Sequence, residues 1–544
     1  MTKENKKQSL LAGALTGSFG VFISKALGLF YVVPLNSLAG ESNMAFYSIT
    51  YTYYDMILKI CQAGIPFAIA ALVAKYVGRE DYKTALLVRK LGTSFIMGMS
   101  FLIAFFFFLG ARPLAVSSLG AEAAPEDIAS LTNLFYILLL AVITVPYLSS
   151  VRGFYQGLKR LDIYAVSQVL EQLVRVTGIV GLGFLFVKLL HFQNIYAIYM
   201  AVLAASLAAV VTILYFLAST RRDSRYVRQQ AAAQEGSAQP PKKIMREILS
   251  LGIPYVIISF LGTMGPLVNA KFFLSYATST GIDYEIAKQV LGIVQTNCSK
   301  IASIPQVLSL GFSAGLVPYL SDTYEKQDIK QLRRQLRDIF GTVLYILIPV
   351  VLIIAVFSAE IYAIMYGSRN VVLGGSLLRR YALVAFTDTV APIFSSILIT
   401  LRFRLNAIAF LVLSAVLKTV TFFVLIKAVG YSGMIYSTAL ASILVIVLGT
   451  ALLKKQFSFD IRSIASIAVR TLLSSLVCVL PIILFSHFVP HSYDSRFLLL
   501  IRFGVEGIVM VVIYLAFSTL LRLPQQVFRM KEFSLKELLK RFRA

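Results

Sequence analysis

Apolar stretches long enough to cross a bilayer recur along almost the whole chain, and they constrain its fold more than any other feature. Stretches such as 131–147, 203–218, 345–357 and 505–521 lie within longer segments, many of which reach the roughly 20 residues that cross about 30 Å of hydrocarbon. Only 14% of the 544 residues are charged, against about 25% in soluble proteins. The sequence therefore predicts an all-α, polytopic membrane protein with about 14 transmembrane helices.

The boundaries of these segments predict how the chain is organised. We place the spans, to within a few residues, at 9–33, 44–74, 85–110, 130–151, 163–189, 194–219, 247–276, 287–319, 335–357, 375–401, 405–427, 432–453, 464–488 and 497–521. The most polar break, 220–246, contains Gly, Ser and a Pro pair and is typical of a flexible cytoplasmic linker. This pattern predicts two six-helix lobes followed by a helix pair. The predicted domains are an N-terminal lobe 1–220, a linker 221–246, a C-terminal lobe 247–453, helices 13 and 14 in 454–521 and a basic tail 522–544.

The net charge of +25 is placed in a way that favours membrane topology over nucleic-acid binding. With odd-numbered spans running outward, about 35 Lys and Arg residues fall on the cytoplasmic side and about 8 outside. This asymmetry predicts a multi-pass protein of the cell membrane with both termini in the cytoplasm. The basic tail, 522–544, is either an amphipathic helix on anionic lipid or a solvated end.

Eight basic residues fall inside the apolar spans: Lys25, Lys59, Arg175, Lys271, Lys300, Lys418, Arg470 and Arg502. An ionised side chain near the bilayer centre costs at least about 2.5 to 3.5 kcal/mol, so several in one chain require partners or a water-filled cavity. Lys25, Lys59 and Lys300 lie well inside their spans and predict a cavity that attracts an anion. In the alternative, Lys25 or Lys59 pairs with Asp55 and only stabilises helix packing.

The other basic residues favour structural roles, although the sequence leaves open whether Arg175, Lys271 and Lys418 are functional. Glu171 and Arg175 are spaced i, i+4 and predict a local ion pair. Lys418 could pair with Asp388 of the preceding span. Lys271, with Arg470 and Arg502, lies within about two turns of a helix end, from which a long side chain can reach the interface.

The motifs of several other function classes are missing from the sequence. It contains no Gly-x-x-x-x-Gly-Lys-Ser/Thr loop for ATP and no Gly-x-Ser-x-Gly nucleophile motif. His191, His487 and His491 lack the Cys or carboxylate partners of a metal site. We therefore predict a transporter rather than an enzyme, without metal or cofactor, and driven by the membrane potential or a monovalent cation.

Two motifs in the first half of the chain are unusually specific: Arg-Gly-Phe-Tyr-Gln-Gly at 152–157 and Ser-Gln-Val-Leu-Glu-Gln at 167–172. Five further runs, at 23–28, 31–34, 63–68, 73–76 and 173–176, accompany them. Together these runs resemble the MurJ-type lipid II flippases of the multidrug/oligosaccharidyl-lipid/polysaccharide exporter superfamily, in particular the YtgP and spore-cortex-like branch. The resemblance covers most of the chain.

The resemblance implies a central cationic cavity between two six-helix lobes, with the last two helices forming a groove for a polyprenyl tail. It implies that alternating access carries an undecaprenyl-pyrophosphate-linked cell-wall precursor, lipid II, to the outer leaflet, with membrane lipids as the other partners and a monomer as the unit. By their surrounding motifs, Lys25, Lys59 and Lys300 match the family's essential basic residues, which are often Arg. A second family arginine falls near Tyr31 here, so one cationic contact is missing or supplied from elsewhere.

Two alternative functions stay open at this point. Flippases for other lipid-linked glycans share the fold and the need for a cationic cavity. A multidrug or cation antiporter of the same superfamily would instead use a buried carboxylate, and Asp55 and Asp388 are candidates for it. The excess of buried basic residues favours the flippase.

Overall fold

The computed structural model of the protein describes residues 27–28, 31–62, 64–368, 370–488 and 495–528, with the backbone alone at 62, 307–319, 485–488 and 528. Almost all of these residues are helical, and none of them lies in a β-strand. The chain divides into two compact units, which meet in sequence between Thr296 and Asn297.

The first unit contains the helices up to the break at Thr296. They are α1 Val32–Ala39, α2 Glu41–Gln62, α3 Ile65–Val77, α4 Tyr82–Leu119, α5 Pro125–Gly157, α6 Leu161–Phe184, α7 Ile195–Ser219, α8 Arg221–Ala233, α9 Pro241–Leu261, α10 Met264–Ser279 and α11 Tyr284–Gly292. A π-helical turn, Leu185–Leu189, extends α6, and a second one, Ile293–Cys298, follows α11.

The second unit continues from that second π-turn. Its helices are α12 Ser299–Glu325, α13 Ile329–Val356, α14 Ser358–Tyr366, α15 Val371–Thr400, α16 Arg404–Val429, α17 Gly433–Phe457, α18 Ile461–Phe488, α19 Arg496–Leu520 and α20 Leu523–Phe528. The predicted final helix pair corresponds to α18 and α19, which pack together. The Tyr514 hydroxyl of α19 donates a hydrogen bond to the Tyr345 carbonyl of α13, at 2.6 Å.

The predicted polytopic, all-α class is confirmed. Eleven helical stretches among the described residues are long and apolar enough to cross a membrane. One of them, Arg404–Phe457, consists of α16 and α17 joined by a 3-10 turn at Gly430–Ser432. The total of 14 stays a prediction, because the first predicted span, 9–33, falls largely outside the described residues.

Close backbone contact between α3 and α5 explains the glycines of the 152–157 motif. A Cβ atom at Gly153 would lie 2.5 Å from the Pro66 carbonyl oxygen, and one at Gly157 would lie 2.7 Å from the Ala70 carbonyl oxygen. Small residues spaced four apart allow transmembrane helices to approach this closely. The motif therefore brings α5 against α3 and positions Arg152, its first residue, beside them.

The predicted linker at 220–246 is largely helical, and its irregular part, 234–240, is hydrogen-bonded to residues 81–84. Residues 221–233 form α8, and α9 begins at Pro241. The Lys83 ammonium donates to the carbonyls of Gln234 and Gly236, at 2.7 and 2.8 Å. The Gln234 amide donates to Asp81 at 2.9 Å. Burial raises the pKa of Asp81, but hydrogen bonds from Thr84 and Gln234 outweigh burial and lower the pKa.

The predicted domain limits at 220, 246, 453 and 521 stay a prediction. In the structure, α9 packs on α3, and a Cβ atom at Gly64 would lie 2.0 Å from the Gly252 carbonyl. The segment after the linker thus begins in the first compact unit. Most of the predicted basic tail, from residue 529 onward, lies outside the described residues.

Candidate functional site

Two arginines converge on one buried glutamate inside the first unit. Arg152 Nη1 of α5 lies 2.6 Å from Glu171 Oε2 of α6, and Arg175 Nη2 binds the other carboxylate oxygen from one turn further along α6. Arg152 also donates to Ser167 Oγ and to the Ser167 carbonyl, at 3.0 and 2.8 Å. The side chains of Arg152 and Glu171 are 8% and 10% exposed. We call Arg152, Glu171 and Arg175 the Glu171 cluster; its formal charge is +1.

A cavity of about 330 Å³ opens beside the Glu171 cluster. All three residues of the cluster line it, together with Leu58, Pro66, Phe67, Val145, Ser149, Gly153, Gln156, Tyr164 and Gln168. Arg175 Nε is buried without a hydrogen-bond partner among the described residues. The net positive charge of the three lining residues of the cluster favours an anionic occupant of the cavity.

The same arginine also borders a row of tyrosines on α2. A second cavity, about 20 Å³, is lined by Arg175 with Tyr47, Tyr51 and Tyr54, which follow the helical spacing i, i+4, i+7. That volume holds about one water molecule. The Tyr31 and Tyr47 hydroxyls are hydrogen-bonded to each other at 2.7 Å. The tyrosines thus place hydroxyl groups close to Arg175 inside the first unit.

Lys59, one of the predicted site residues, forms an ion pair with Asp55 on the same helix. Their charged atoms are 2.8 Å apart, and the side chains are 41% and 39% exposed. The expected pairing with Asp55 therefore occurs, but the two groups are accessible rather than packed into the core. Charged groups in a membrane-spanning helix face protein or a water-filled cavity rather than lipid, so we assign this face of α2 to a wet surface.

Lys300 belongs to the second unit, at the first turn of α12, and is partly buried. Ser303 Oγ donates to its carbonyl at 2.6 Å. The preceding π-turn is held by α14: Asn297 Nδ2 donates to the Tyr362 hydroxyl at 3.1 Å, and the Tyr366 hydroxyl donates to the Asn297 carbonyl at 3.2 Å. Isolated π-turns occur often at functional sites. Lys25, the third predicted residue, lies outside the described residues.

Lys418 is embedded in the second unit and is only 1% exposed. Its ammonium donates to three oxygen atoms of α17: the Met434 carbonyl at 3.0 Å, Ser437 Oγ at 2.8 Å and Thr438 Oγ1 at 2.9 Å. Asp388 accepts a hydrogen bond from Ser442 Oγ, also of α17, at 2.6 Å. These contacts support a structural role for Lys418, and the predicted pairing with Asp388 stays a prediction.

The three remaining basic residues of the spans, Lys271, Arg470 and Arg502, each contact a polar side chain on the same helix or on a neighbouring one. Arg502 Nε lies 2.8 Å from Glu506 Oε1 on α19. Arg470 donates to Gln526 Oε1 of α20 at 2.9 Å, and the Lys271 ammonium contacts Ser117 Oγ of α4. The described residues contain no group of three His, Cys, Asp or Glu side chains that could hold a metal ion.

The contact of Arg152 with Glu171 was not predicted from the sequence. The pair Glu171 and Arg175 was visible from its i, i+4 spacing, but Arg152 reaches the same carboxylate from another helix, 19 residues earlier. The only available signal was its position at the start of the 152–157 motif, which ends one short turn before α6. That motif and the run at 167–172 meet in space through Arg152, Ser167 and Glu171.

Comparison with known proteins agrees with this architecture along most of the chain. A family described as polysaccharide biosynthesis protein matches residues 10–324, more than half of the sequence. The lipid II flippase MurJ of Bacillus subtilis (strain 168) is 27% identical over 475 residues, which cover 86% of this chain and 87% of that protein.

Two solved structures share the fold. Lipid II flippase MurJ in an inward closed conformation matches with a TM-score of 0.67 at 16% identity, covering 93% of this chain and 98% of that one. An inward-facing multidrug resistance MATE transporter of the MOP superfamily matches with a TM-score of 0.63 at 15% identity, covering 80% and 94%. The resemblance predicted from the sequence motifs is confirmed. The chain belongs to the polysaccharide biosynthesis protein family and has the fold of the MurJ and MATE transporters.

Proposed function

We propose that the protein is a flippase that moves lipid II, an undecaprenyl-pyrophosphate-linked cell-wall precursor, from the inner to the outer leaflet of the cell membrane. The observation that carries this proposal is the net positive Glu171 cluster open to a 330 Å³ cavity within membrane-spanning helices. A positively charged wall suits a pyrophosphate. The relative in Bacillus subtilis named lipid II flippase MurJ, similar over 86% of the chain, supports the same substrate class.

Arg175 is the residue of the Glu171 cluster best suited to contact a phosphate. Its side chain lines the cavity, and Glu171 is already neutralised by Arg152. Guanidinium groups bind phosphate through planar, paired hydrogen bonds. We therefore add Arg175 to the predicted substrate-binding residues Lys25, Lys59 and Lys300.

Lys59 can exchange its partner at little cost. An ion pair as exposed as Asp55 and Lys59 contributes about 1 kcal/mol or less to stability, so a pyrophosphate can displace the carboxylate. Asp55 then serves to neutralise the ammonium between transport cycles. The ammonium of Lys is a compact point charge, whereas the guanidinium of Arg presents its donors in a fixed planar geometry. The lysine can therefore stay in contact with a phosphate in more than one position.

In this proposal the protein acts as a monomeric transporter, not as an enzyme, and both of its termini lie in the cytoplasm. It works by alternating access through a central cationic cavity and needs no cofactor. The membrane potential is a sufficient driving force, because one negative charge that moves outward across an inside-negative potential of 100 mV releases about 2.3 kcal/mol. Coupling to a monovalent cation is the alternative driving force.

Complementation tests the proposal directly. The protein is expressed in cells depleted of their own lipid II flippase, and lipid II on the outer face is measured with a membrane-impermeant probe. We expect growth and outward-facing lipid II to be restored. If the protein is present in the membrane and restores neither, but moves another lipid-linked glycan, then that glycan is its substrate and lipid II is not.

Charge variants then test the site. Lys25→Ala, Lys59→Ala and Lys300→Ala should each abolish flipping, and Arg at the same positions should restore part of it because the positive charge is retained. Lys326→Ala is the matched control, since this lysine is 69% exposed and pairs with Asp322 at a helix end. Wild-type transport by all three alanine variants would remove these lysines from the mechanism.

A flippase and a cation antiporter with the same fold differ in the buried charges that transport requires: basic side chains in the flippase and carboxylates in the antiporter. An antiporter needs a buried carboxylate to bind its cation and its coupling ion in turn. Asp55→Asn and Asp388→Asn should silence an antiporter but leave much of the flipping, once transport is normalised to folded protein. Loss of transport in these two variants, together with extrusion of an organic cation, would establish the antiporter.

A further inference from the structure

A third cavity, of about 440 Å³, lies at the end of α7, where the membrane-spanning segment gives way to α8. Four of its lining residues are arginines: Arg89 of α4 and Arg221, Arg225 and Arg228 of α8. None of its lining residues is acidic. Six of its other lining residues are apolar or aromatic: Tyr147, Val151, Tyr155, Ile213, Phe216 and Leu217. We call this cavity the arginine pocket; its lining combines four guanidinium groups with apolar and aromatic side chains.

The position of α8 is set by contacts that leave its arginines available. Val227 and Ala231 are buried against the rest of the unit, and Ser224 Oγ is hydrogen-bonded to the Tyr155 hydroxyl at 2.8 Å. Asp223, an acidic residue on α8, pairs instead with Arg160. The spacing 221, 225, 228 places three guanidinium groups on one face of the helix.

This arrangement is electrostatically unfavourable without a bound anion. Like charges spaced i, i+4 on a helix destabilise it, and a fourth charge, Arg89 of α4, lines the same cavity. Arg89 is itself held in place, because its guanidinium stacks 4.6 Å above the Phe154 ring. Within the described part of the chain, none of the four arginines forms an ion pair with a carboxylate.

We propose that the arginine pocket binds the phosphate of an anionic phospholipid, with an acyl chain lying along the apolar wall. The apolar surface next to the pocket favours a lipid over a free anion. Leu217 lines the pocket and is 56% exposed, and Leu214, one turn earlier, is 59% exposed, so the apolar wall continues onto a surface suited to lipid. Basic pockets between helices at the cytoplasmic interface are typical sites for acidic head groups.

The bound lipid would fix α8 against α4 and α7. By neutralising the three arginines of α8, it would remove the repulsion along that face of the helix. The segment 221–240 is hydrogen-bonded to the first turn of α4 through Gln234 and Lys83, so a lipid in the pocket would also stabilise the entry to α9. The protein would then be more stable in membranes that contain acidic lipid.

Native mass spectrometry of the full-length protein tests this proposal with phosphatidylglycerol and phosphatidylcholine as probes. The triple variant Arg221→Gln, Arg225→Gln, Arg228→Gln should lose one tightly bound phosphatidylglycerol, with a fall in affinity on the order of 100-fold for the loss of three charges near the surface. The control removes the same charge from exposed sites elsewhere: Lys330→Gln, Arg334→Gln, Lys455→Gln. The control should retain that lipid.

A second variant leaves every arginine in place. Leu217→Glu puts a carboxylate on the apolar wall and should also remove the bound phosphatidylglycerol, while the protein elutes as a folded monodisperse species. Retention of the lipid by the arginine variant, or equal loss in the control, would overturn the proposal. Displacement of the lipid by millimolar inorganic phosphate would show that the site recognises a free anion rather than a lipid.

Discussion

Removing the carboxylate of the Glu171 cluster should destabilise the protein more than removing one of its arginines. Glu171→Gln keeps the shape of the side chain but leaves Arg152 and Arg175 as two buried cations without a counter-charge. Breaking a buried ion pair by removing one partner costs about 3 to 5 kcal/mol. The glutamate serves two partners, so we expect a loss at the upper end of that range.

Arg175→Gln should behave in the opposite way. The remaining pair of Arg152 and Glu171 is neutral, and Arg152 keeps both hydrogen bonds to Ser167. The substitution also removes the buried Nε donor that has no partner, which offsets the lost contact with Glu171. We expect the free energy of unfolding to change by about 1 kcal/mol or less, while flipping falls sharply because a phosphate contact is gone.

The cysteines of the protein supply the stability assay. The sequence has no tryptophan, but its three cysteines, Cys61, Cys298 and Cys478, are free and buried. A thiol-reactive fluorophore therefore reports unfolding as the detergent-solubilised protein is heated. The wild-type, Glu171→Gln and Arg175→Gln proteins are compared at equal concentration, and flipping is measured on the same preparations.

The order of the two variants is the critical result. If Glu171→Gln unfolds at the wild-type temperature, the cluster is not held together by its carboxylate. If Arg175→Gln loses as much stability as Glu171→Gln, the two arginines share the carboxylate equally and Arg175 is structural. Full transport by a stable Arg175→Gln protein would exclude this residue from substrate binding.

Three further predictions concern topology, packing and the exposed ion pair. Ser237→Cys, in the connection after α8, should react with a membrane-impermeant thiol reagent only after the cell membrane is opened, because the basic residues around it predict a cytoplasmic position; labelling of intact cells would reverse the topology. Gly157→Leu should reduce expression of folded protein, since even a Cβ atom there would lie 2.7 Å from the Ala70 carbonyl, whereas Gly110→Leu, with no atom within 4 Å of its Cβ position, should be tolerated. Asp55→Asn should shift thermal unfolding only slightly, because its ion pair with Lys59 is about 40% exposed and worth about 1 kcal/mol or less; a large shift would show that the pair is a packing element.

Helix positions were predictable because they depend on local properties of the chain. A membrane-spanning segment must satisfy its own backbone hydrogen bonds and match its apolar length to the bilayer, and both requirements can be evaluated within one stretch of sequence. The predicted span 497–521, for instance, corresponds to α19 at Arg496–Leu520. Within one helix, side-chain contacts at i, i+4 were also predictable, as the ion pair between Glu171 and Arg175 shows.

The linker shows where local reasoning fails. Its Gly, Ser and Pro residues favoured a flexible segment, yet the connection is bound to the start of α4 by hydrogen bonds from Lys83 to Gln234 and from Gln234 to Asp81. Residues about 150 positions apart in sequence make these contacts. Composition carries no information about such partners.

The sequence alone determined that this chain lies in the membrane as helices, that it carries an excess of buried positive charge and that it resembles a lipid-linked sugar transporter family. Only the tertiary structure decided which charges meet: Arg152 with Glu171, and Arg89 with the arginines of α8. The physical reason is that lipid and protein interiors are both apolar, so hydrophobic patterning does not reveal which face of a membrane helix contacts which neighbour. Those contacts depend on close packing and polar partners, such as the approach of Gly153 to Pro66, and they appear only when the helices are placed together.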